Sequence, residues 1–268
     1  MTMIVMTGDG ARGNWTLGTM IHLLDGPLKP SGYVGISSGA LNAFLLSQIK
    51  PDAICDTARK ISDRSKLFSF NWNIFSSAGL FTSKPLEKIL KNLLKNHRLD
   101  TKDRLPGWVS YSDLENGTIH YVDVNTLQSQ EEIIEVVLSA VSIPGYVKAV
   151  RPPKYDAGVL EINPVSQAII LGAKRIVVVF ARPIMANVMQ PPSGWFQTAQ
   201  VAYRSLDLMM HRMATDDLAM SYMYDDLESL EILETPTYLG DALDFKHADI
   251  FFEMGLSGDF VRTVVKSL

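Results

Sequence analysis

The sequence predicts an α/β fold with a mostly parallel central sheet flanked by helices. Three observations carry this expectation. Short apolar runs of strand length alternate with segments of helical period along the chain. The first 50 residues read as strand, helix, strand, helix, the opening of a βαβ unit. Between Arg175 and Ala181 lies Ile176-Val177-Val178-Val179-Phe180, an unbroken run of the kind found where both faces of a strand are buried. At 268 residues the chain is read as one domain over 1–268, with a cap or lid segment at about 60–105.

Met3 to Met6 is the first buried strand, followed by a glycine-rich loop and helical spacing from about Asn14 to Leu24. Ser31 to Val34 leads into a second strand ending at Gly35, and Ala40 to Ile49 returns to helical spacing. Lys66 to Phe81 is rich in Leu, Phe and Trp but lacks a period. It reads as an irregular apolar loop, either a buried cover over the sheet or a lid beside a site. Lys84, Lys88, Lys91, Lys95 and Arg98 recur on and after one amphipathic segment; interspersed with Glu87 they make a solvated face, or one that meets an anionic partner. Trp108 to Tyr111 and Ile119 to Val124 flank Asn116-Gly117, a hairpin turn signal. Ser129-x-x-Glu132 is a capping box before an apolar-periodic helix that Pro144 terminates. After the central strand come a helical stretch from Phe196 to Met223, a strand near Leu230 to Leu233, and two terminal helices. Leu206, Met209, Met210, Met213, Met220 and Met223 form a stripe that is either core or the flexible wall of an apolar tunnel.

Composition narrows the function. A hydrophobic content of 47% excludes disorder, and 25 basic against 29 acidic residues, a net charge of −4, argues against nucleic acid as a partner. The single Cys55 excludes an internal disulfide or a cysteine zinc cage, and no metal or cofactor is called for. The first basic residue is Arg12, so Met1 to Met6 has no charged leader region, and the longest apolar runs fall far short of the ~18 residues of a membrane span. The expected location is therefore cytoplasmic, with any membrane contact peripheral.

Two loops carry the chemistry. Gly8-Asp9-Gly10-Ala11-Arg12-Gly13 fits the G-x-G-x-x-G dinucleotide fingerprint, but the second strand ends without the carboxylate that would hold a ribose hydroxyl. It ends instead in Gly35-Ile36-Ser37-Ser38-Gly39, a G-x-S-x-G nucleophile elbow. Were both loops at the carboxyl ends of adjacent parallel strands, backbone N–H groups of the glycine loop would face the Ser37 hydroxyl, which is how an oxyanion hole is built. Plain structural turns are the alternative.

A serine needs a base. His22, His97 and His120 sit in helical, basic and hairpin contexts. A triad through His211 or His247 would require the α/β-hydrolase order, yet only one strand precedes Ser37 here. Asp156, followed by Ala157 and Gly158 at the end of a short strand, is the better partner because small residues let two loops approach; a lone turn aspartate is the other possibility.

Together these motifs resemble the patatin-like phospholipases, lipid acyl hydrolases with a Ser-Asp dyad. The resemblance rests on Gly8 to Gly13 with Arg12, on Gly35 to Gly39, on Asp156-Ala157-Gly158 with Asn163-Pro164 downstream, and on Ser142-Ile143-Pro144-Gly145-Tyr146 ahead of the aspartate. It covers roughly residues 3 to 180. It implies a three-layer patatin-like fold, Ser37 as nucleophile, Asp156 as general base, oxyanion donors from Gly8, Asp9 and Gly10, and a phospholipid or lysophospholipid substrate, without cofactor or metal. An acyltransferase or thioesterase would share the acyl-serine, and a lipid-binding relative with weakened catalysis is the non-enzymatic version. Two positions depart from the family's pattern. Asp9 stands where glycine is usual, so its carboxylate must turn away from a developing oxyanion. Ala157 also replaces a glycine, and a positive φ there would cost about 1–2 kcal/mol.

Overall fold

The computed structural model describes the chain except residues 61–63, 74–77, 184–196, 222–226, 241, 244 and 268, with backbone alone at 197–204, 206–207, 220–221 and 266–267. β1 (Thr2–Met6) runs into a single 3-10 turn and α1 (Gly13–Leu24), and β2 (Gly32–Gly35) into α2 (Ser38–Gln48). α3 (Pro51–Lys60) begins on the proline, with Asp52 in its first turn and Arg59 and Lys60 in its last, charges that suit the helix dipole. A two-stranded ribbon, β3 (Ser69–Phe70) with β4 (Phe81–Thr82), leads to α4 (Lys84–Asn96). β5 (Gly107–Asp113) and β6 (Thr118–Asp123) form the expected hairpin, and the Asp113 carboxylate accepts the N–H groups of Glu115 and Asn116 in its turn. α5 (Gln130–Ala140) carries both halves of the capping box and stops four residues before Pro144. Then follow β7 (Lys154–Asp156), α6 (Val165–Ile170), β8 (Arg175–Phe180), α7 (Gln197–Ser221), β9 (Ser229–Glu234), α8 (Ala248–Leu256) and β10 (Val261–Ser267).

The main sheet has 8 strands in the order β10-β9-β8-β1-β2-β5-β6, with β7 also paired to β5. β9, β8, β1, β2 and β5 are parallel; β10, β6 and β7 are antiparallel to their neighbours. Alternation along β1 divides the interior as the strand period of two requires: Ile4 and Met6 enter one core, Met3 and Val5 the other. The larger core takes the inner faces of α1 to α5 and α8, and the smaller takes those of α6 and α7. This is the three-layer arrangement expected. Among the described residues no helix is long and apolar enough to cross a membrane.

Two glycines set α1 against α8. A Cβ on Gly18 would lie 2.1 Å from the Phe252 carbonyl oxygen, and one on Gly255 would lie 2.2 Å from that of Trp15, so the helices cross backbone to backbone. The second of the expected terminal helices is instead β10, an edge strand on β9. Its β-branched Val261, Thr263, Val264 and Val265 favour an extended pleat, and with Val261 to Val264 all exposed at the sheet edge there is no buried apolar run to mark it.

Candidate active site

Both loops leave the carboxyl ends of neighbouring parallel strands, the glycine loop from β1 and the elbow from β2. Ser37 has φ 55 and ψ −122, the one positive-φ residue other than glycine among the described residues. Such a conformation costs on the order of 1–3 kcal/mol and persists where its surroundings enforce it. Here the enforcement is close packing at the elbow. A Cβ on Gly35 would stand 2.1 Å from the Gly39 carbonyl oxygen, and one on Gly39 would stand 2.2 Å from that of Met6. Ser110 Oγ donates to the Gly35 carbonyl at 2.8 Å, tying β5 to the same turn. α2 starts immediately after Ser37, so the positive end of its dipole lies at the serine.

Asp156 reaches the elbow from the last residue of β7, opposite Tyr111 of β5. Its backbone is fixed on both sides: its N–H donates to the Ser142 carbonyl at 3.1 Å, and its carbonyl accepts from Ser112 Oγ at 3.0 Å. The Ser142 segment thus positions the aspartate through its main chain. Ser37 Oγ donates to Asp156 Oδ2 at 2.5 Å, and the Gly158 N–H donates to Oδ1 at 2.8 Å. Burial pushes the Asp156 carboxyl up to about 6, more than the two hydrogen bonds draw it down, so it titrates closer to neutrality than an ordinary carboxyl. Ala157 does not adopt positive φ; it opens a 3-10 turn, so alanine bears no backbone penalty there.

The glycine loop lies against the serine, since a Cβ on Gly8 would be 3.1 Å from Ser37 Cβ. Its three expected donors are not equivalent. The Gly8 N–H is spent on the Ile162 carbonyl at 3.2 Å, and the Asp9 N–H on Ser38 Oγ at 3.1 Å. The Gly10 N–H has no hydrogen-bond partner among the described residues, and Gly10 lines the cavity that holds Ser37. Arg12 is fully buried, with Nε toward the Asp9 carbonyl and Nη1 toward the Gly240 carbonyl, each at 3.4 Å. The Gly13 carbonyl accepts from Asn42 Nδ2 at 2.8 Å, joining α1 to α2.

The Asp9 carboxylate is engaged away from Ser37. Arg182, just past the end of β8, donates Nε to Asp9 Oδ1 at 2.5 Å, and the Thr7 hydroxyl donates to Oδ2. Burial alone would raise this carboxyl, but the charges of Arg182 and Arg12 together with these hydrogen bonds hold it below the usual carboxylate range. The anion beside the glycine loop is therefore compensated. Sequence reasoning missed Arg182; its one local sign is an arginine directly after a buried apolar strand.

From Ser37 a cavity of about 740 Å³, including the space open at its mouth, extends between the helices of the larger core. Gly10, Ser37 and Ser38 lie on it, and its walls include Leu17, Leu45, Ile54, Phe68, Leu86 and Phe245. Leu67 and Phe68 belong to the apolar loop foreseen as cover or lid, so that segment does wall the site. The described members of the methionine stripe do not. Met210 and Met213 pack with Ala214 and Leu218 in the smaller core on the other side of the sheet, and Met209 is exposed, because a stripe on α7 faces whichever layer α7 covers. The side chains of Leu206, Met220 and Met223 lie outside those described. The histidines are occupied elsewhere: His22 with the Leu256 carbonyl, His120 stacked on Tyr111, His211 on Phe180, and His97 and His247 at helix ends.

Residues 4–169 match the family model described as patatin-like phospholipase. No curated protein matches the chain.

Proposed function

The chain belongs to the patatin-like phospholipase family, whose members are lipid acyl hydrolases, and we propose that it cleaves fatty-acyl esters of phospholipids or lysophospholipids with Ser37 and Asp156 as its dyad. The observation that carries this reading is the 2.5 Å hydrogen bond from Ser37 Oγ to a buried carboxylate, at the head of an apolar cavity. Ser37 Oγ attacks the ester carbonyl while Asp156 takes its proton. The resulting oxyanion is held by the Gly10 N–H and by the Asp9 N–H once the Ser38 hydroxyl yields it, with the α2 dipole behind. Collapse expels the alcohol, which recovers the proton from Asp156, and leaves an acyl-Ser37 ester. Water, deprotonated by Asp156, then releases the fatty acid and restores the serine.

The acyl chain is assigned to the cavity, and the segment at about 60–105 acts as its lid through Leu67, Phe68 and Leu86. Transfer of the acyl group to an acceptor other than water would use the same intermediate. Intact-protein mass after exposure to a fluorophosphonate tests the nucleophile without a choice of substrate. One adduct is expected on the wild type, none on Ser37→Ala, and strongly slowed labelling on Asp156→Asn. A folded wild type that takes no adduct overturns the dyad.

A further inference from the structure

The ribbon of β3 and β4 presents an unusual surface. Trp72, just beyond β3, is 86% exposed, and Phe70 and Leu80 are each 47% exposed. Phe70 and Trp72 form one patch, their rings meeting edge to face at 5.0 Å between centroids, while Leu80, paired with Asn71 through the Asn71 N–H at 2.9 Å, lies on the other face of the ribbon. Beneath them Phe70 packs on Phe81 and Phe81 on Tyr146, so the outer rings stand on a fixed base. Single exposed apolar residues are ordinary, but an exposed tryptophan stacked on an exposed phenylalanine is not.

The rim of this patch is cationic although the whole chain carries a net charge of −4. The Arg64 guanidinium lies 4.1 Å from the centre of the Phe81 ring and donates to Tyr146 Oη at 3.4 Å. Lys66, Lys84 and Lys148 are exposed around it, and the Lys148 N–H holds the edge of β4 through the Phe81 carbonyl at 2.8 Å. Glu87, on α4, is engaged by Lys91 at 2.6 Å. The ribbon stands next to the cavity wall without forming it, since Leu67 and Phe68 line the cavity immediately before β3 and Leu86, on α4, lines it after β4.

We propose that Phe70 and Trp72, with Arg64, Lys66, Lys84 and Lys148 about them, form the surface on which the protein rests on an anionic lipid bilayer. The aromatic patch enters the headgroup boundary, where an amphipathic indole is favoured, and the cations neutralise lipid phosphates around it. Docked this way, the ribbon brings the lid side of the cavity against the membrane. The inference rests on the lipid substrate proposed above and names where that substrate is met.

Cosedimentation with vesicles of phosphatidylcholine and phosphatidylglycerol, compared with phosphatidylcholine alone, tests it. The wild type is expected to bind the mixed vesicles more tightly, with binding that falls as salt rises. Phe70→Ser with Trp72→Ala is expected to lower partitioning at least about tenfold, since most of the inserted apolar area is removed, while hydrolysis of a soluble short-chain ester is unchanged. Lys66→Glu with Lys148→Glu is expected to abolish the preference for phosphatidylglycerol. Ser37→Ala is expected to bind as the wild type does, so docking is read even if the ester chemistry fails. Absence of wild-type binding, undiminished binding by the aromatic variant, or a patch whose removal alters only self-association in solution overturns the proposal.

Discussion

Replacing Arg182 with methionine strands the Asp9 carboxylate in the interior. Both side chains are almost fully buried, at 4% and 0% exposure, and the bond between them is 2.5 Å. Removing one partner of a buried ion pair typically costs about 3–5 kcal/mol, because the remaining charge is left uncompensated. With an unfolding entropy of about 2.1 cal/mol/K per residue over 268 residues, that loss lowers Tm by about 5–9 °C. Calorimetry at neutral pH measures it. A second variant isolates the cause: Asp9→Gly with Arg182→Met removes both charges and is expected to recover at least half of the loss, since an apolar replacement of the whole pair is often neutral. The pH dependence has a definite sign. The depressed pKa of Asp9 in the wild type contributes stability present above the unfolded carboxyl value and lost as pH falls through the folded one. In Arg182→Met the carboxyl titrates at higher pH, so acidification protonates it and the two proteins converge in stability. A single variant within about 1 kcal/mol of the wild type, or a double variant at the sum of the two singles, refutes the compensation of Asp9 by Arg182.

The Asp156 carboxyl, raised to about 6 by burial, predicts that kcat/KM for a soluble ester rises with pH through about 6 and then levels; a profile flat from pH 5 to 8 contradicts the assigned base. A carboxyl raised in the fold contributes stability that is complete below its unfolded value and lost as pH rises through the folded one. Asp156→Asn is therefore expected to exceed the wild type by about 3 kcal/mol above pH 7 and by little below pH 4, in denaturation at the two pH values. Gly39→Ala, whose Cβ would meet the Met6 carbonyl oxygen at 2.2 Å, is expected to lose about 1–3 kcal/mol of stability and nearly all fluorophosphonate labelling. Leu86→Trp, which fills the cavity without touching Ser37, is expected to depress cleavage of long-chain esters at least about tenfold while sparing acetyl esters, a ratio read from parallel kinetics.

The legible parts of this molecule are those whose cause is local. The Ser129 and Glu132 capping box, the Asn116-Gly117 turn and the Gly35 to Gly39 elbow each need only a few adjacent residues, and each stands where the sequence places it. Ser37 and Asp156, 119 residues apart, are joined by a hydrogen bond; the elbow motif singles out the serine, whereas the aspartate stands out only through the set of motifs the family shares. What escaped depends on distant packing alone. The pairing of Arg182 with Asp9 spans 173 residues with no motif at the arginine, and Phe245 enters the cavity from a segment without periodicity. The helical spacing of Met210 and Met213 marks a buried face but not which side of the sheet it covers. β10 lacks two buried faces, so its pairing with β9 had no signature beyond a few β-branched residues.

The bracing of the glycine loop bears on the order in which the chain is made. Ser37 and Asp156 precede every residue that anchors the loop from the far end of the sequence: Arg182 on Asp9, the Gly240 carbonyl under Arg12, and the Ala242 carbonyl, which accepts the Ala11 N–H at 2.7 Å. At about 5–20 residues per second the ribosome delivers residue 242 some ~4–17 s after residue 156. Throughout that interval the nascent chain carries Ser37 and Asp156 without the struts that shape the Gly8 to Gly13 loop. The glycine loop therefore takes its final shape only after residue 242 has been added, however early the Ser37 elbow folds.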